Sequence, residues 1–299
     1  MRLTTIRTGD GTRAARVEGD RLVELPARDV GAVLAAGPGG LRDAAQARGP
    51  ERDAATADYA PVVPNPSKII CLGLNYEPHI REMGHDPPDV PTLFAKYAAA
   101  LVGPRDPIVL PRVSTSVDWD AELAFVIGSP VRHADEPTAR AAIAGYTICN
   151  DVSMRDWQRR TPQWLQGKTF ESSTPVGPVL VTPDEVDDAR DLRVRCEVDG
   201  ELRQDARTSE LVFDPVAIVQ YVSMILTLLP GDLISTGTPG GVGVGMSPPV
   251  FLRPGQIVRT VIDGIGELVN ECVAEPDPRA TEEPPSGVSR RGTGGPRGR

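Results

Sequence analysis

The chain has 299 residues with 41 Asp plus Glu against 32 Lys plus Arg, a formal net charge of −9, and 30 Gly and 30 Pro against 13 Phe, Trp and Tyr. An acidic balance without a basic run before the extreme C-terminus argues against a nucleic-acid partner, whose recognition needs a basic face. No stretch approaches the ~18 apolar residues of a membrane span, and the start MRLTTIRTGDG lacks an apolar signal core, so the expected compartment is the cytoplasm. Cys71, Cys149, Cys196 and Cys272 form no C-x-x-C pair. They read as small buried hydrophobes, not a zinc site or a disulfide framework.

In chain order, LTTIRT and RAARVEGDRLVELP alternate in polarity around the turn EGD, and VGAVLAA and LRDAAQAR have the pattern of short helices. Residues 1–63 are therefore read as a small N-terminal α+β domain, closed by the linker PVVPNP. Residues 64–274 read as a mostly β body. Its candidate strands are 68–74, 92–97, 121–128, 141–151, 178–181, 192–200, 232–237 and 257–266, and its candidate helices lie near 75–84, 135–143, 152–158 and 214–229. Because regular helices do not separate the strands, a mixed β sandwich or roll fits better than a doubly wound parallel sheet. Residues 275–299 hold ten Gly or Pro and almost nothing apolar, which predicts a disordered tail.

Four constellations carry possible chemistry. In VDWDAELAFVIG, Asp118, Asp120 and Glu122 alternate with apolar residues, so strand period puts three carboxylates on one face at the entrance of a buried strand. Adjacent like charges there call for a positive partner, and a hard divalent cation is economical; the competing reading is a solvated strand end. TICNDVSMRDWQ adds Asp151 at the end of a second apolar strand. Carboxylates from two strand ends can converge on an octahedral oxygen site of the Mg2+ or Mn2+ type.

In GLNYEPHIREMGHD, Asn75 is placed to cap a short helix that brings His79 and Glu82 together at i, i+3. A carboxylate beside an imidazole raises its basicity for activating water, although an ordinary surface pair has the same spacing. His85 and His133 lack such a pattern and read as surface residues. LPGDLISTGTPGGVGVGMSPP contains G-x-G spacings without the Lys-Ser/Thr or following helix that a nucleotide loop needs. Its surviving functional reading is a loop whose N–H groups and Thr236 or Thr238 hydroxyls hold a small carboxylate; the alternative is a plain connection. The polar, Pro-punctuated stretch 155–178 reads as a lid or binding loop, with Lys168 and Arg155 as anion or enolate partners.

Taken together, these segments resemble the fumarylacetoacetate hydrolase family. The motifs run in order from GLNYxxHxxE at 73–82 and FxK at 94–96, through DWDAEL at 118–123, GYTICNDVSMRDWQ at 145–158 and QWLQGKTFE at 163–171, to LLPGDLISTGTPGGVG at 228–243 and GIGELVN at 264–270. The resemblance implies a mixed β roll, a homodimer, and Mg2+ or Mn2+ on Asp120, Glu122 and Asp151. It also implies His79 with Glu82 as the dyad that activates water or moves a proton, Lys168 in catalysis, and Arg155, Gln158 and Thr238 as substrate contacts. Asp120 stands where the family usually has Glu, and Glu171 where many relatives have Asp. The implied reaction is hydrolysis of a C–C bond in an acylpyruvate or related diketo acid through a metal-stabilised enolate. Alternatives on the same site are decarboxylation of an oxaloacetate-like 2-oxo acid and a hydroxymuconate-type isomerisation; an inactive binding homologue is the alternative of another class. The Gly and Pro of 84–111, the PVGP turn and 230–255 are expected to form the rim of the site.

Overall fold

Segments that alternate in polarity pair into two large sheets and a separate two-stranded one, and the computed structural model describes them over residues 1–82 and 86–277, apart from the side chains of His79 and Glu82. The strands are β1 (Arg2–Thr8), β2 (Gly11–Glu18), β3 (Arg21–Glu24), β4 (Glu51–Asp53), β5 (Ile69–Gly73), β6 (Thr92–Lys96), β7 (Leu101–Val102), β8 (Ile108–Leu110) and β9 (Val117–Asp118). They continue as β10 (Ala121–Ile127), β11 (Ile143–Asn150), β12 (Ser153–Met154), β13 (Thr174–Val181), β14 (Arg193–Val198), β15 (Glu201–Arg207), β16 (Leu233–Ser235), β17 (Ile257–Ile262) and β18 (Gly266–Ala274). Helices are few and mostly short: α1 (Val30–Ala35), α2 (Pro38–Gln46), α3 (Glu77–Glu82), α4 (Glu136–Ala142), α5 (Arg155–Gln158), α6 (Leu165–Lys168) and α7 (Pro215–Ile225).

One sheet runs β4-β3-β2-β1-β13-β11-β10-β16-β5-β6, with β7 added beside β13; the other runs β15-β14-β17-β18-β8. Their facing sides form the main core. Leu123, Phe125 and Ile148 of the first sheet meet Val194, Cys196, Ile262 and Leu268 of the second. On the opposite face of the first sheet, Ala124, Val126, Cys149 and Leu180 are covered by Val30, Val33 and Leu34 of α1 and Ala44 of α2. Strand β10 is buried along its whole length, as its two-sided apolar run requires. Strand β14 alternates, with Val194, Cys196 and Val198 inward and Arg193, Arg195 and Glu197 less buried. The mostly β, mixed-sheet architecture is therefore the one expected. Residues 1–63 join it through β1, where Leu3 pairs with Leu180 of β13, so these strands extend the large sheet.

Several boundaries differ from the sequence reading. The helix expected over 214–229 starts under the Asp214 cap but ends at Ile225, because Leu228 turns extended and exchanges two hydrogen bonds of 3.0 Å with Val131. The helix expected over 152–158 begins only at Arg155; Ser153 and Met154 are extended and pair with Asp118 and Val117 of β9. The expected 135–143 helix and 141–151 strand overlapped, and the chain divides them at Ala142 and Ile143. PVGP is part of β13 and not a turn. β15 and β18 fall almost wholly outside the expected strands; in β15 the alternate residues Glu201, Arg203, Asp205 and Arg207 are all charged and only Gln204 and Ala206 are buried between them. All four cysteines are buried and free, and His133 is exposed, as expected. His85 and the tail beyond 277 lie outside the described residues.

Candidate active site

Antiparallel pairing of Ala121 with Asn150 sets the start of β10 beside the end of β11, which brings Asp120 opposite Asp151. The Asp151 N–H donates to the Asp120 carbonyl at 2.8 Å, and the Asp120 N–H donates to Asn150 Oδ1 at 3.0 Å. Strand alternation then places Glu122 on the face that carries Ala124 and Val126, opposite the main core. The expected convergence of carboxylates from two strand ends is present, and its centre is a lysine. Lys168, the last residue of α6, donates from Nζ to Asp120 Oδ2 and Asp151 Oδ2, each at 2.8 Å. Lys96, at the end of β6, donates to the other oxygen of Asp151 at 2.6 Å.

The third carboxylate of the alternating triplet has a different task. Asp118 lies in β9 and accepts from Arg155 Nε at 2.8 Å and from the N–H groups of Gly243 and Val244 at 2.7 and 3.0 Å. The Gly-rich loop expected to hold a small carboxylate thus holds one belonging to the chain itself. Its Gly237 N–H, with Ser235 Oγ, also holds Glu122 Oε2, at 2.9 and 2.5 Å. The Thr236 and Thr238 hydroxyls donate to the carbonyls of Leu123 and Ala121, so they fasten the loop to β10.

A cavity of about 620 Å³ opens over this face, with Asp120, Glu122, Arg155, Gln158, Lys168 and Thr238 in its wall. The segment after α5 also lines it, with Arg159, Arg160 and Trp164, and so do Leu72, Gly73 and Leu74 at the end of β5, where Gly73 packs against Trp164. Gly73 is required there, because a Cβ at that position would lie 2.2 Å from the Trp164 ring. Trp164 in turn meets Phe94 edge to face at 5.7 Å, and the Lys168 ammonium sits 4.9 Å from the Phe94 ring centre. Of the stretches expected to form a Gly/Pro rim, 230–255 contributes Thr238, Val242 and Val244 and 84–111 contributes Phe94; the PVGP stretch contributes nothing, and none of the described Gly or Pro residues of these stretches lines the cavity.

The electrostatics follow from burial. Four buried carboxylates (Asp118, Asp120, Glu122, Asp151) face three buried cations (Lys96, Arg155, Lys168), leaving one negative charge in excess. Burial works against the charge on Asp120, but Arg155 and Lys168 outweigh it and hold the group at about 2. Glu122 answers the excess by keeping its proton: burial first, and then the Asp151 charge, push it up to about 8. For Lys168 burial is likewise outweighed, here by Asp120 and Asp151, which raise it above the usual lysine range and keep it charged.

The donor set fits a hard divalent cation in chemistry and charge, since Asp120, Glu122 and Asp151 offer oxygen ligands and an unbalanced negative charge. Each carboxylate oxygen can accept more than one partner, and both hydrogen bonds to Glu122 enter a single oxygen. Among the described residues, however, no three His, Cys, Asp or Glu side chains form a ready-made metal site, because Asp120 and Asp151 are drawn onto Lys168. Asp120, one methylene shorter than Glu, also takes a charged hydrogen bond from Arg155 Nη2.

The Fumarylacetoacetate (FAA) hydrolase C-terminal family matches residues 68–273. The chain belongs to this family. It is 47% identical over 216 residues to a mitochondrial oxaloacetate tautomerase of Xenopus laevis, a match covering 72% of this chain and 67% of that protein. Among solved structures, a fumarylacetoacetate hydrolase from the psychrophile Exiguobacterium antarcticum superposes with a TM-score of 0.81 at 34% identity, over 92% of this chain and 100% of that one. A 5-carboxymethyl-2-hydroxymuconate delta-isomerase from Mycobacterium smegmatis does so with a TM-score of 0.76 at 35% identity, with the same coverage. These relatives are named as enzymes of several reaction types on one fold. Among the described residues, no helix is long and apolar enough to cross a membrane.

Within the family frame, Asp120, Glu122, Arg155, Gln158, Lys168 and Thr238 gather around one cavity, and Asp151 lies behind Lys168. The side chains of His79 and Glu82 lie outside the described residues; the backbone of α3 follows directly on Leu72, Gly73 and Leu74 of the cavity wall. Asn75 does not act through a helix cap. Its amide is taken up by Phe213 and by the Thr236 carbonyl, which ties the turn after β5 to the Gly-rich loop. The sequence reading assigned no role to Lys96, Ser153, Gln204 or Ser235. Lys96 had a legible signal, a lysine in the otherwise apolar strand TLFAKY. Ser153 donates to Asp120, while Gln204 donates to Thr238 and accepts from the Ala121 N–H; nothing local marks such polar partners.

Proposed function

We propose that the protein is a divalent-metal-dependent isomerase of the keto–enol type acting on a small 2-oxo diacid such as oxaloacetate. The supporting observation is the sorting of charge in the cavity, with carboxylates at its floor and Arg155, Arg159, Arg160 and Lys168 around it, a pattern suited to an anionic substrate. The 47% identity to an oxaloacetate tautomerase favours isomerisation over the C–C hydrolysis to which the sequence motifs alone pointed.

Asp120, Glu122 and Asp151 would hold the cation, which when bound supplies Lewis-acid stabilisation of the negative charge that develops on the 2-oxo oxygen. Lys168 stays protonated and is pinned at Nζ by two carboxylates, so it acts as a fixed hydrogen-bond donor to that oxygen and not as a base. Arg155 spends Nε on Asp118, Nη2 on Asp120 and Nη1 on Gln158 Oε1. Its role is to orient Asp120 and to aim the Gln158 amide at substrate. The base that removes and returns the C3 proton is assigned to His79 with Glu82.

The test is ketonisation of enol-oxaloacetate by the full chain with Mg2+ or Mn2+, followed by loss of enol absorbance beside assays for released CO2 and for acylpyruvate cleavage. Accelerated ketonisation with carbon conserved is expected. Cleavage of an acylpyruvate without any acceleration of ketonisation would restore the hydrolase reading, and release of CO2 as the main product the decarboxylase reading.

A further inference from the structure

We infer that Arg159 and Arg160 form the recognition site for the second carboxylate of the substrate, selecting 2-oxo diacids over monoacids. The inference rests on the proposed substrate class and assigns its specificity to two residues that the sequence reading left unassigned.

The chain is acidic overall, and its exposed arginines commonly pair, as Arg193 does with Asp205 and Arg207 with Asp191. Arg159 and Arg160 break that pattern. Both are exposed, both line the cavity, and neither has an ion pair among the described residues. A carboxylate in the cavity would gain charged hydrogen bonds from guanidinium groups that have no carboxylate of the chain to give up. Arg155 and Lys168 do not serve this purpose: Arg155 is held on Asp118, Asp120 and Gln158, and Lys168, held on Asp120 and Asp151, has one N–H left, which the proposed reaction assigns to the 2-oxo oxygen.

Arg160 is also held in place. Its guanidinium lies 3.5 Å from the centre of the Trp157 ring, and that ring is fixed by a 3.1 Å hydrogen bond from Nε1 to the Val113 carbonyl and by an edge contact with Phe170 at 5.3 Å. A guanidinium stacked on a fixed aromatic face loses less freedom when it binds a carboxylate than a free surface arginine does. The floor of the cavity is therefore suited to the 2-oxo acid head, and this rim to the far carboxylate.

The probes are L-malate and L-lactate, which share a 2-hydroxy acid head, differ in the far carboxylate, and cannot tautomerise. Calorimetric titration with Mg2+ present compares the full wild-type chain with R159Q, R160Q and the double variant. The expected result is malate binding about 10–100-fold tighter than lactate in the wild type, a preference removed in the double variant with lactate affinity unchanged. An unchanged unfolding midpoint then places the loss at the rim. Equal weakening of both ligands, a wild type without preference, or a double variant that keeps it would overturn the assignment. Because neither probe reacts, this result is independent of the ketonisation assay: a wild type inactive on enol-oxaloacetate that still prefers malate through these arginines would fail the reaction assignment alone.

Discussion

The floor and the rim of the cavity both carry cations, in opposite circumstances. At the floor, Lys168 and Arg155 are buried and bound to carboxylates of the chain, and Lys96, outside the lining, holds the other oxygen of Asp151, so their charge is consumed in holding β6, β9, β10, β11, α5 and α6 together. At the rim, Arg159 and Arg160 are exposed and have no such partner among the described residues. Burial explains the difference. A charge without a partner is affordable only where water can solvate it, so buried cations must be paired by the fold while exposed ones can remain available to a ligand. The floor should therefore be sensitive in stability and chemistry together, and the rim in recognition alone.

The largest effect is expected at Lys168. Lys168→Ala leaves Asp120 and Asp151 buried without their shared cation, and should cost about 3–5 kcal/mol in denaturant unfolding and roughly 10²–10³-fold in turnover. Full activity in this variant would break the link between the floor and the reaction. Lys96→Met should cost about 3 kcal/mol by the same reasoning with a smaller loss of turnover, because Lys96 does not line the cavity; equal losses of turnover in the two variants would remove that distinction.

Glu122 supplies a test of sign. Its folded value of about 8 lies above the ordinary 4.5, so between these values the folded metal-free protein binds more protons than the unfolded chain. Stability should then fall as pH rises from about 4.5 through 8. Glu122→Gln should flatten that slope, measured as unfolding free energy against pH in chelator, and should abolish divalent-cation binding by calorimetry. A slope that survives the substitution would show that another group produces it.

Gly167→Ala probes how the two regions are joined. An added Cβ would lie 2.3 Å from the Gln158 backbone nitrogen, so α6 must move away from α5 and take Lys168 with it. A loss of about 1–3 kcal/mol is expected, with reduced turnover, read from unfolding and kinetics on one preparation. The smallest change in stability is predicted for R159Q/R160Q, within about 0.5 kcal/mol of wild type; a larger loss would mean that the rim, like the floor, is structural.

Much of the site was legible because its residues sit at the ends of strongly patterned strands. Period-2 alternation in VDWDAEL and the apolar run ending in CND located Asp120, Glu122 and Asp151, and the collinear motifs located Lys168, Arg155, Gln158 and Thr238. The same periodicity could not separate Asp118 from its two neighbours, since it reports a face and not the strand with which that face pairs. Nor could it show that the G-x-G loop would turn its N–H groups onto Asp118, 125 and 126 residues away. Helix α7 was found and overextended for a related reason: its apolar pattern continues past Ile225, but Leu228 has a pairing partner nearly a hundred positions earlier.

By itself, then, the sequence determined the family, the mostly β architecture and the identity of most site residues, all of which depend on local pattern and on motif order. Tertiary structure alone decided which carboxylates share a cation, which arginines have no ion pair among the described residues, and that Glu122 is the buried carboxyl group pushed to keep its proton. Those properties depend on distances between groups far apart in the chain and on the withdrawal of water from around them, and neither is encoded in local spacing.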